Sequence, residues 1–125
     1  MKYTRQAKQV LDMARALALG YRQGYIGTEH ILLALLLGKP TYAKDVLNRV
    51  GVTAMKIEEL LEKLDTSGLA PQDGPLPDFA PKAQQILEQA ASWAERTGMD
   101  EIGTQHILMA LLEDTSTVAY RLLWV

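Results

Sequence analysis

The chain has 125 residues, with 13 lysines and arginines against 15 aspartates and glutamates, and it contains no cysteine. This length fits one compact domain, and the absence of cysteine excludes disulfides, thiolate metal sites and a cysteine nucleophile. A formal net charge of -2 argues against general nucleic-acid binding, because contact with many phosphates requires a basic surface.

The first predicted element is a long amphipathic helix. Its apolar residues recur at i, i+3, i+4 and i+7, which indicates one buried stripe. These residues are Ala7, Val10, Leu11, Ala14, Leu17, Ala18 and Tyr21. A second helix follows Gly27, and we expect Thr28 to cap it by accepting a hydrogen bond from a free backbone N–H of its first turn. Gly38 and Pro40 end that helix.

Two further helices and a linker complete the first half. A third helix is predicted from Thr41 to Val50, before Gly51, and a fourth from Thr53 to Leu64. Residues 65–78 contain three prolines and two glycines, a composition that favours neither helix nor strand. We therefore predict an exposed linker there.

The second half repeats the first. Residues 3–49 align without a gap with residues 79–125, and the segment Ile26–Leu36 recurs as Ile102–Leu112. A shared Gly-Thr-x-His at one register is not expected by chance in two amphipathic helices. We therefore predict a single all-α domain, 1–125, of two pseudo-twofold four-helix repeats, 3–64 and 79–125. The second repeat is truncated, because it ends before a fourth helix, and Thr104 is the expected cap of its second helix.

The two Ile-Gly-Thr-x-His-Ile-Leu motifs, each downstream of an aromatic-x-x-x-Ala helix start, resemble the double repeat of the Clp N-terminal domain. The resemblance covers essentially the whole chain, and Gly-Thr-Glu-His-Ile-Leu-Leu at 27–33 is most similar to the ClpC type. It implies an eight-helix bundle, with the last helix absent here, mounted ahead of the ATP-driven rings of a bacterial AAA+ unfoldase. The longest apolar run, 31–37, is too short to cross a membrane, so we expect a cytoplasmic protein.

The resemblance also implies a binding domain rather than an enzyme. Clp N-terminal domains dock adaptor proteins and, in the ClpC type, capture substrates marked with phosphoarginine for unfolding and proteolysis. The sequence has no Gly-x-x-x-x-Gly-Lys-Ser/Thr phosphate loop, so ATP hydrolysis is not assigned to this chain. The implied partners are adaptor proteins, substrate proteins and the AAA+ modules of a full-length chain. We expect no cofactor, nucleic acid or membrane partner.

By resemblance, a phosphoarginine site involves the starts of two helices. Glu29 takes the guanidinium, Thr4 and Lys8 are candidates for phosphate contacts, and Thr28 belongs to the same site. A helix N-terminus suits this chemistry, because its free N–H groups and partial positive charge attract phosphate. Without a ligand, Thr4 is an N-cap, Lys8 is a solvated surface charge and Glu29 stabilises its helix dipole.

The second copy departs from this pattern. Gln105 stands where the family has Glu, Ala80 where it has Thr and Gln84 where a basic residue is common, so we expect a weak or lost site. A first helix of roughly twenty residues is ~30 Å long, so Glu29 could instead lie nearer the start of the other repeat's helix. In that arrangement Lys82 replaces Lys8, and both sites are hybrids of the two repeats.

Three alternatives to the unfoldase domain follow from the residues. A stand-alone double-repeat protein would compete for the same partners. A small hydrolase would use His30 or His106 with Glu29, but neither histidine has a nucleophile or a metal-ligand cluster at suitable spacing. We therefore expect both histidines to be structural and assign neither a catalytic nor a metal role. A DNA-binding domain would use residues 1–64, which hold ten lysines and arginines against six acidic residues.

Overall fold

The computed structural model describes residues 1–63 and 74–124 of the chain. These residues form seven helices and four two-residue strands, which confirms the predicted all-α fold class. The helices are α1 (Arg5–Gly20), α2 (Thr28–Leu37), α3 (Tyr42–Arg49), α4 (Ala54–Glu62), α5 (Pro81–Arg96), α6 (Thr104–Glu113) and α7 (Val118–Leu123). The strands are β1 (Lys2–Tyr3), β2 (Tyr25–Ile26), β3 (Asp78–Phe79) and β4 (Glu101–Ile102). None of the described helices is long and apolar enough to span a bilayer.

Threonine hydroxyls fix where four of the helices begin. Each accepts a hydrogen bond from the backbone N–H three residues later, which satisfies a donor that the helix itself leaves free. The capping residues are Thr4, Thr41, Thr53 and Thr117. The start of α5 differs, because Ala80 lacks a hydroxyl and Pro81 occupies the first helical position. Positive φ angles at Gly51 and Gly98 suit the turns after α3 and α5.

The core is organised around the second helix of each repeat. Residues 28–36 of α2 are all buried, because α1, α3, α4 and α7 pack around this helix. In the other repeat, α6 packs against α5, α7 and α3. The third helix of each repeat thus contacts the second helix of its own repeat and of the other repeat. The two halves therefore share one core.

Two short parallel strand pairs cross between the repeats. β1 pairs with β4, and β2 pairs with β3, so each repeat contributes one strand to each pair. The pairing continues into the helix starts, where the Thr4 N–H donates to the Ile102 carbonyl at 2.9 Å and the Ala80 N–H donates to the Ile26 carbonyl at 3.0 Å. Each first helix consequently begins beside the Gly-Thr-x-His motif of the opposite repeat.

The fourth helix distinguishes the two halves. α4 packs against α2, and Leu36 of α2 is only 3% exposed. Leu112, the matching residue of α6, is 44% exposed, and residues 79–124 contain no helix after α7.

The predicted linker is wrong at its C-terminal end. Residues 65–73 lie outside the described part of the chain, as does Leu64, the predicted end of the fourth helix. Residues 74–77 have no regular structure, but Pro77 is buried and its carbonyl accepts a hydrogen bond from Arg15 Nε at 3.3 Å. Asp78 then belongs to β3. Pairing with β2 gives this backbone hydrogen-bond partners that the local composition could not predict.

Candidate functional site

Histidine, rather than threonine, caps the second helix of each repeat. The Gly27 N–H donates to Nδ1 of His30 at 2.8 Å, and the Gly103 N–H donates to Nδ1 of His106 at the same distance. The imidazole thus occupies the third helical position and reaches back to the N-cap residue, as glutamate does in a capping box. The predicted capping roles of Thr28 and Thr104 within their own helices are therefore wrong.

Thr28 caps a different helix instead. Its Oγ1 accepts a hydrogen bond from the backbone N–H of Ala119 at 3.1 Å, across 91 residues of sequence. Ala119 lies in the first turn of α7, where backbone N–H groups have no partner within the helix. Thr28 is the first residue of α2 rather than its N-cap, so its hydroxyl serves the neighbouring repeat.

Both histidines are neutral structural groups. Burial lowers the pKa of His30 to about 4 and lowers the pKa of His106 as well. Because Nδ1 accepts a hydrogen bond, the proton lies on Nε2, and neither ring can act as a base through Nδ1. The described residues contain no group of three His, Cys, Asp or Glu side chains that could hold a metal ion. This geometry argues against the hydrolase alternative.

Glu29 is a buried carboxylate without a cationic partner. Its residue is 6% exposed, and the side chain folds over Gly27 so closely that a Cβ there would overlap Oε1. Its own backbone N–H donates a hydrogen bond to the carboxylate, but no described lysine or arginine forms an ion pair with it. Burial consequently raises the pKa of Glu29. A guanidinium would supply the charge that this carboxylate lacks.

The start of α5 lies beside the backbone that leads into the Glu29 motif, because the Ala80 N–H donates to the Ile26 carbonyl at 3.0 Å. Ala80 gives no side-chain cap, and Pro81 has no N–H. The backbone N–H groups of Lys82 and Ala83 have no acceptor among the described residues. This helix start therefore offers free donors and the positive end of a helix dipole.

The turn between α6 and α7 holds the Lys82 side chain. Its Nζ donates to the Ser116 hydroxyl at 2.9 Å, and the Ser116 N–H donates to Oδ1 of Asp114 at 2.9 Å. Two hydrogen bonds from Ser116 lower the pKa of Asp114, and the bond from the Ser116 hydroxyl has a larger effect than the bond from its N–H. Gln84 is exposed, and its side-chain amide donates to the Phe79 carbonyl at 3.0 Å. Lys82 is thus the cation of this helix start.

The β1–β4 pairing places the start of α1, with Thr4 and Lys8, beside the motif that contains Gln105. Thr4 already caps α1, since its Oγ1 accepts from the Ala7 N–H at 3.0 Å. Lys8 is exposed, and its side chain makes no hydrogen bond or ion pair with the described residues. Gln105 is half-buried, with its amide folded over Gly103 as Glu29 folds over Gly27.

The fold therefore regroups the residues singled out from the sequence. The strand pairs place the motif of Thr28 and Glu29 beside the start of α5, which carries Ala80, Lys82 and Gln84, and the motif of Gln105 beside the start of α1, which carries Thr4 and Lys8. Helix α1 has 16 residues, about 24 Å, between its start at Thr4 and its own repeat's motif, so Thr4 and Glu29 lie at opposite ends of that helix. The hybrid arrangement, with Lys82 in place of Lys8, stays a prediction, and the pairing of strands between the repeats favours it.

Comparison with known proteins agrees with this architecture. A sequence profile of the Clp repeat (R) N-terminal domain matches residues 2–124. The chain belongs to the Clp N-terminal domain family. This Clp N-terminal domain is 33% identical over 122 residues to chaperone protein ClpB of Oceanobacillus iheyensis, and 32% identical over 122 residues to the negative regulator of genetic competence ClpC/MecB of Bacillus subtilis. Each alignment covers 98% of the chain but 15% of the relative, and these identities do not separate the ClpB and ClpC types.

Solved structures of N-terminal domains show the same fold. The Hsp104 N-terminal domain from Candida albicans superimposes with a TM-score of 0.78 at 20% identity, covering 98% of this chain and 79% of that one. The ClpD N-terminal domain from Arabidopsis thaliana gives a TM-score of 0.73 at 19% identity, covering 98% and 85% of the two chains. These likenesses confirm the fold of this Clp N-terminal domain.

Replacement of Glu29 by Gln should stabilise the unliganded domain at neutral pH. The raised pKa of Glu29 means that the folded state disfavours the ionised carboxylate, a cost that is present above the folded pKa and disappears as pH falls below the unfolded value. Gln105 shows that an amide fits the matching position. Urea unfolding of both proteins at pH 7.5 and pH 4 should show a higher stability of Glu29→Gln only at pH 7.5. A wild-type protein that is more stable than Glu29→Gln at pH 7.5 would contradict the conclusion that the folded state disfavours the ionised Glu29 carboxylate.

Proposed function

We propose that this chain is the protein-interaction domain of a ClpC-like AAA+ unfoldase of the bacterial cytoplasm. It binds adaptor proteins and substrates carrying phosphoarginine, and delivers them to ATP-driven unfolding and proteolysis in other parts of the full-length protein. The observation that carries the proposal is the buried carboxylate of Glu29, which has no cationic partner among the described residues, in a motif that strand pairing places beside the uncapped start of α5. We call this arrangement of Glu29, Thr28, Ala80, Lys82 and Gln84 the Glu29 site.

The two halves of the ligand match the two halves of the Glu29 site. Phosphoarginine carries a guanidinium and a phosphate on one side chain. Glu29 can accept hydrogen bonds from the guanidinium, and charge-assisted bonds of this kind are among the strongest in proteins. The free N–H groups of Lys82 and Ala83, together with the Lys82 ammonium, can bind the phosphate. When Lys82 contacts the phosphate, its hydrogen bond to the Ser116 hydroxyl either breaks or is kept by another of the three ammonium protons.

Binding would also remove the electrostatic cost at Glu29. A buried carboxylate without a cation is unfavourable, and pairing with a guanidinium offsets its desolvation. The proposed ligand thus stabilises the feature that destabilises the unliganded domain. A stand-alone Clp repeat protein would use the same surface and differ only in the chain outside this domain.

Calorimetric titration with matched peptides tests the proposal. One peptide contains phosphoarginine, and two controls carry arginine or phosphoserine at the same position. We expect one binding site for the phosphoarginine peptide and at least tenfold weaker binding of both controls. Glu29→Gln should weaken phosphoarginine binding by ~1–3 kcal/mol, or about 5- to 160-fold, because it removes the charge from one half of the pair.

Lys8→Gln is the matched control, because Lys8 lies at the start of α1 rather than at the start of α5. The affinity of the Lys8→Gln variant for the phosphoarginine peptide should equal that of the wild type. Equal binding of the arginine peptide would contradict phosphoarginine recognition. Absence of binding at millimolar peptide would contradict it as well.

A further inference from the structure

The duplication creates two corresponding cavities at the far ends of the second helices. One lies between α1 and the turn after α2, has a volume of about 270 Å³, and is lined in part by Val10, Met13 and Lys39. The other lies between α5 and the turn after α6, also has a volume of about 270 Å³, and is lined in part by Gln89, Asp114 and Thr115. In the alignment of the repeats, Met13 matches Gln89 and Lys39 matches Thr115. We call them the repeat-one groove and the repeat-two groove.

The chemistry of the two grooves has diverged. The repeat-one groove has apolar walls from Val10 and Met13, with the exposed amides of Gln6 and Gln9 and the exposed ammonium of Lys39 around them. The repeat-two groove instead contains the carboxylates of Glu113 and Asp114 and no large apolar side chain among its lining residues.

The polar groups of the two grooves also differ in whether they have partners. In the repeat-two groove, Glu113 accepts a hydrogen bond from Trp93 Nε1 at 2.7 Å, and Asp114 accepts from Ser116. In the repeat-one groove, the side chain of Lys39 makes no hydrogen bond or ion pair within residues 1–63 and 74–124. Its neighbour Lys44 donates to the Gly38 carbonyl at 2.9 Å, which adds a second cation beside the same turn. The repeat-one groove therefore combines an apolar interior with an uncompensated positive rim.

We propose that the repeat-one groove is a second docking site, which binds a peptide segment with one large apolar side chain next to a carboxylate. A cavity of about 150 Å³ is enough to bind benzene, so this groove can accept a leucine- or phenylalanine-sized side chain. Lys39 pairs with the carboxylate, and the amides of Gln6 and Gln9 bond to the peptide backbone. An acidic peptide complements this rim, whereas a basic one is repelled.

This docking site is separate from the Glu29 site. Glu29 lies in the first turn of α2 and Gly38 follows its last residue, so the two sites are at opposite ends of a 10-residue helix, about 15 Å long. The inference goes beyond the proposed function, because it rests on a different surface and a different ligand. Failure of one does not entail failure of the other.

The chain itself offers conservative test variants. Met13→Gln and Lys39→Thr replace each residue by its counterpart from the other repeat, where Gln89 and Thr115 already occupy the same place in the fold. The double variant should therefore fold, which circular dichroism and thermal melting can verify. The reciprocal variant, Gln89→Met with Thr115→Lys, is the control for nonspecific effects, because Glu113 and Asp114 remain in that groove.

Amide chemical-shift titration tests the inference. The probe is a blocked pentapeptide, Ser-Asp-Phe-Asp-Ser, and the controls replace both aspartates by lysine or the phenylalanine by serine. We expect shifts centred on Val10, Met13 and Lys39 with the probe alone. The groove double variant should weaken binding at least tenfold, whereas Glu29→Gln should leave it unchanged.

Shifts centred elsewhere, equal binding of the lysine peptide, or unchanged affinity in the double variant would overturn the docking site. Sedimentation velocity provides a separate check on the occupant. A concentration-dependent dimer that the double variant abolishes would assign the groove to a second copy of the chain, and would overturn the peptide proposal. Phosphoarginine binding that persists in the double variant would show that the Glu29 site is independent.

Discussion

Replacement of His30 by Ala should destabilise the domain by on the order of 3 kcal/mol. The change removes a ring that is almost fully buried and leaves the Gly27 N–H without an acceptor, and each of these costs is of the order of a kilocalorie or more. His30→Gln should recover much of the loss, because glutamine at this helix position can accept from the N-cap N–H. Urea unfolding at pH 7.5 measures both variants. A loss below about 1 kcal/mol in His30→Ala would contradict the capping role.

The same histidine should make stability depend on pH. The pKa of His30 is lowered to about 4, whereas a histidine in the unfolded chain titrates near 6.5. Between these values the unfolded state binds more protons, so stability is present above about pH 6.5 and is lost as pH falls toward about 4, by up to ~3 kcal/mol. His30→Gln should flatten this slope, leaving the smaller contribution of His106. Titration of Glu29 contributes equally to the pH dependence of the wild type and of His30→Gln, so it cancels when their free energies of unfolding are subtracted.

Replacement of Gln105 by Glu should create a second phosphoarginine site. The Gln105 amide already folds over Gly103 as the Glu29 carboxylate folds over Gly27, so glutamate can occupy the same place. The start of α1 supplies Lys8 as the cation for the phosphate, although Thr4 already satisfies one N–H there. We expect the calorimetric stoichiometry to rise from one to two, with an affinity gain of about 10- to 100-fold at the new site.

Two variants show whether the gain has this origin. Adding Lys8→Gln to Gln105→Glu should weaken the second site and leave the first unchanged. Adding Glu29→Gln should weaken the first site and leave the second. A stoichiometry of one in Gln105→Glu would show that a carboxylate and a helix start are insufficient, and that the Glu29 site depends on the uncapped start of α5.

Local features of the fold followed from the sequence. Helices α1 to α4 begin beside the glycines and threonines that mark them, and the third helix was placed within one residue at each end. The residues that form a helix cap or an amphipathic stripe lie within a few positions of one another in the sequence, so local patterns predict them. The strands were missed, because two residues are too few to show an alternating pattern, and their partners lie in the other repeat.

The candidate site was predictable only in part. Glu29 and Lys82 could be named from the motifs, but the placement of their two segments side by side depends on strand pairing between residues about fifty positions apart. Thr28 carried the expected capping chemistry, yet it caps α7 because His30 had taken the local role. The bond between Lys82 and Ser116 had no signal in the sequence, since the matching positions of repeat one are Gln6 and Pro40. Packing between the repeats, rather than local pattern, determines these contacts.

The most direct measurement is a map of amide chemical shifts during titration with phosphoarginine. We expect the amide signals of Glu29 in repeat one and of Lys82 and Ala83 in repeat two to shift together along one saturation curve. Large shifts at Thr4 and Lys8 with none at Lys82 would place the ligand at the other pair of helix starts. That result would contradict a binding site built from both repeats around Glu29.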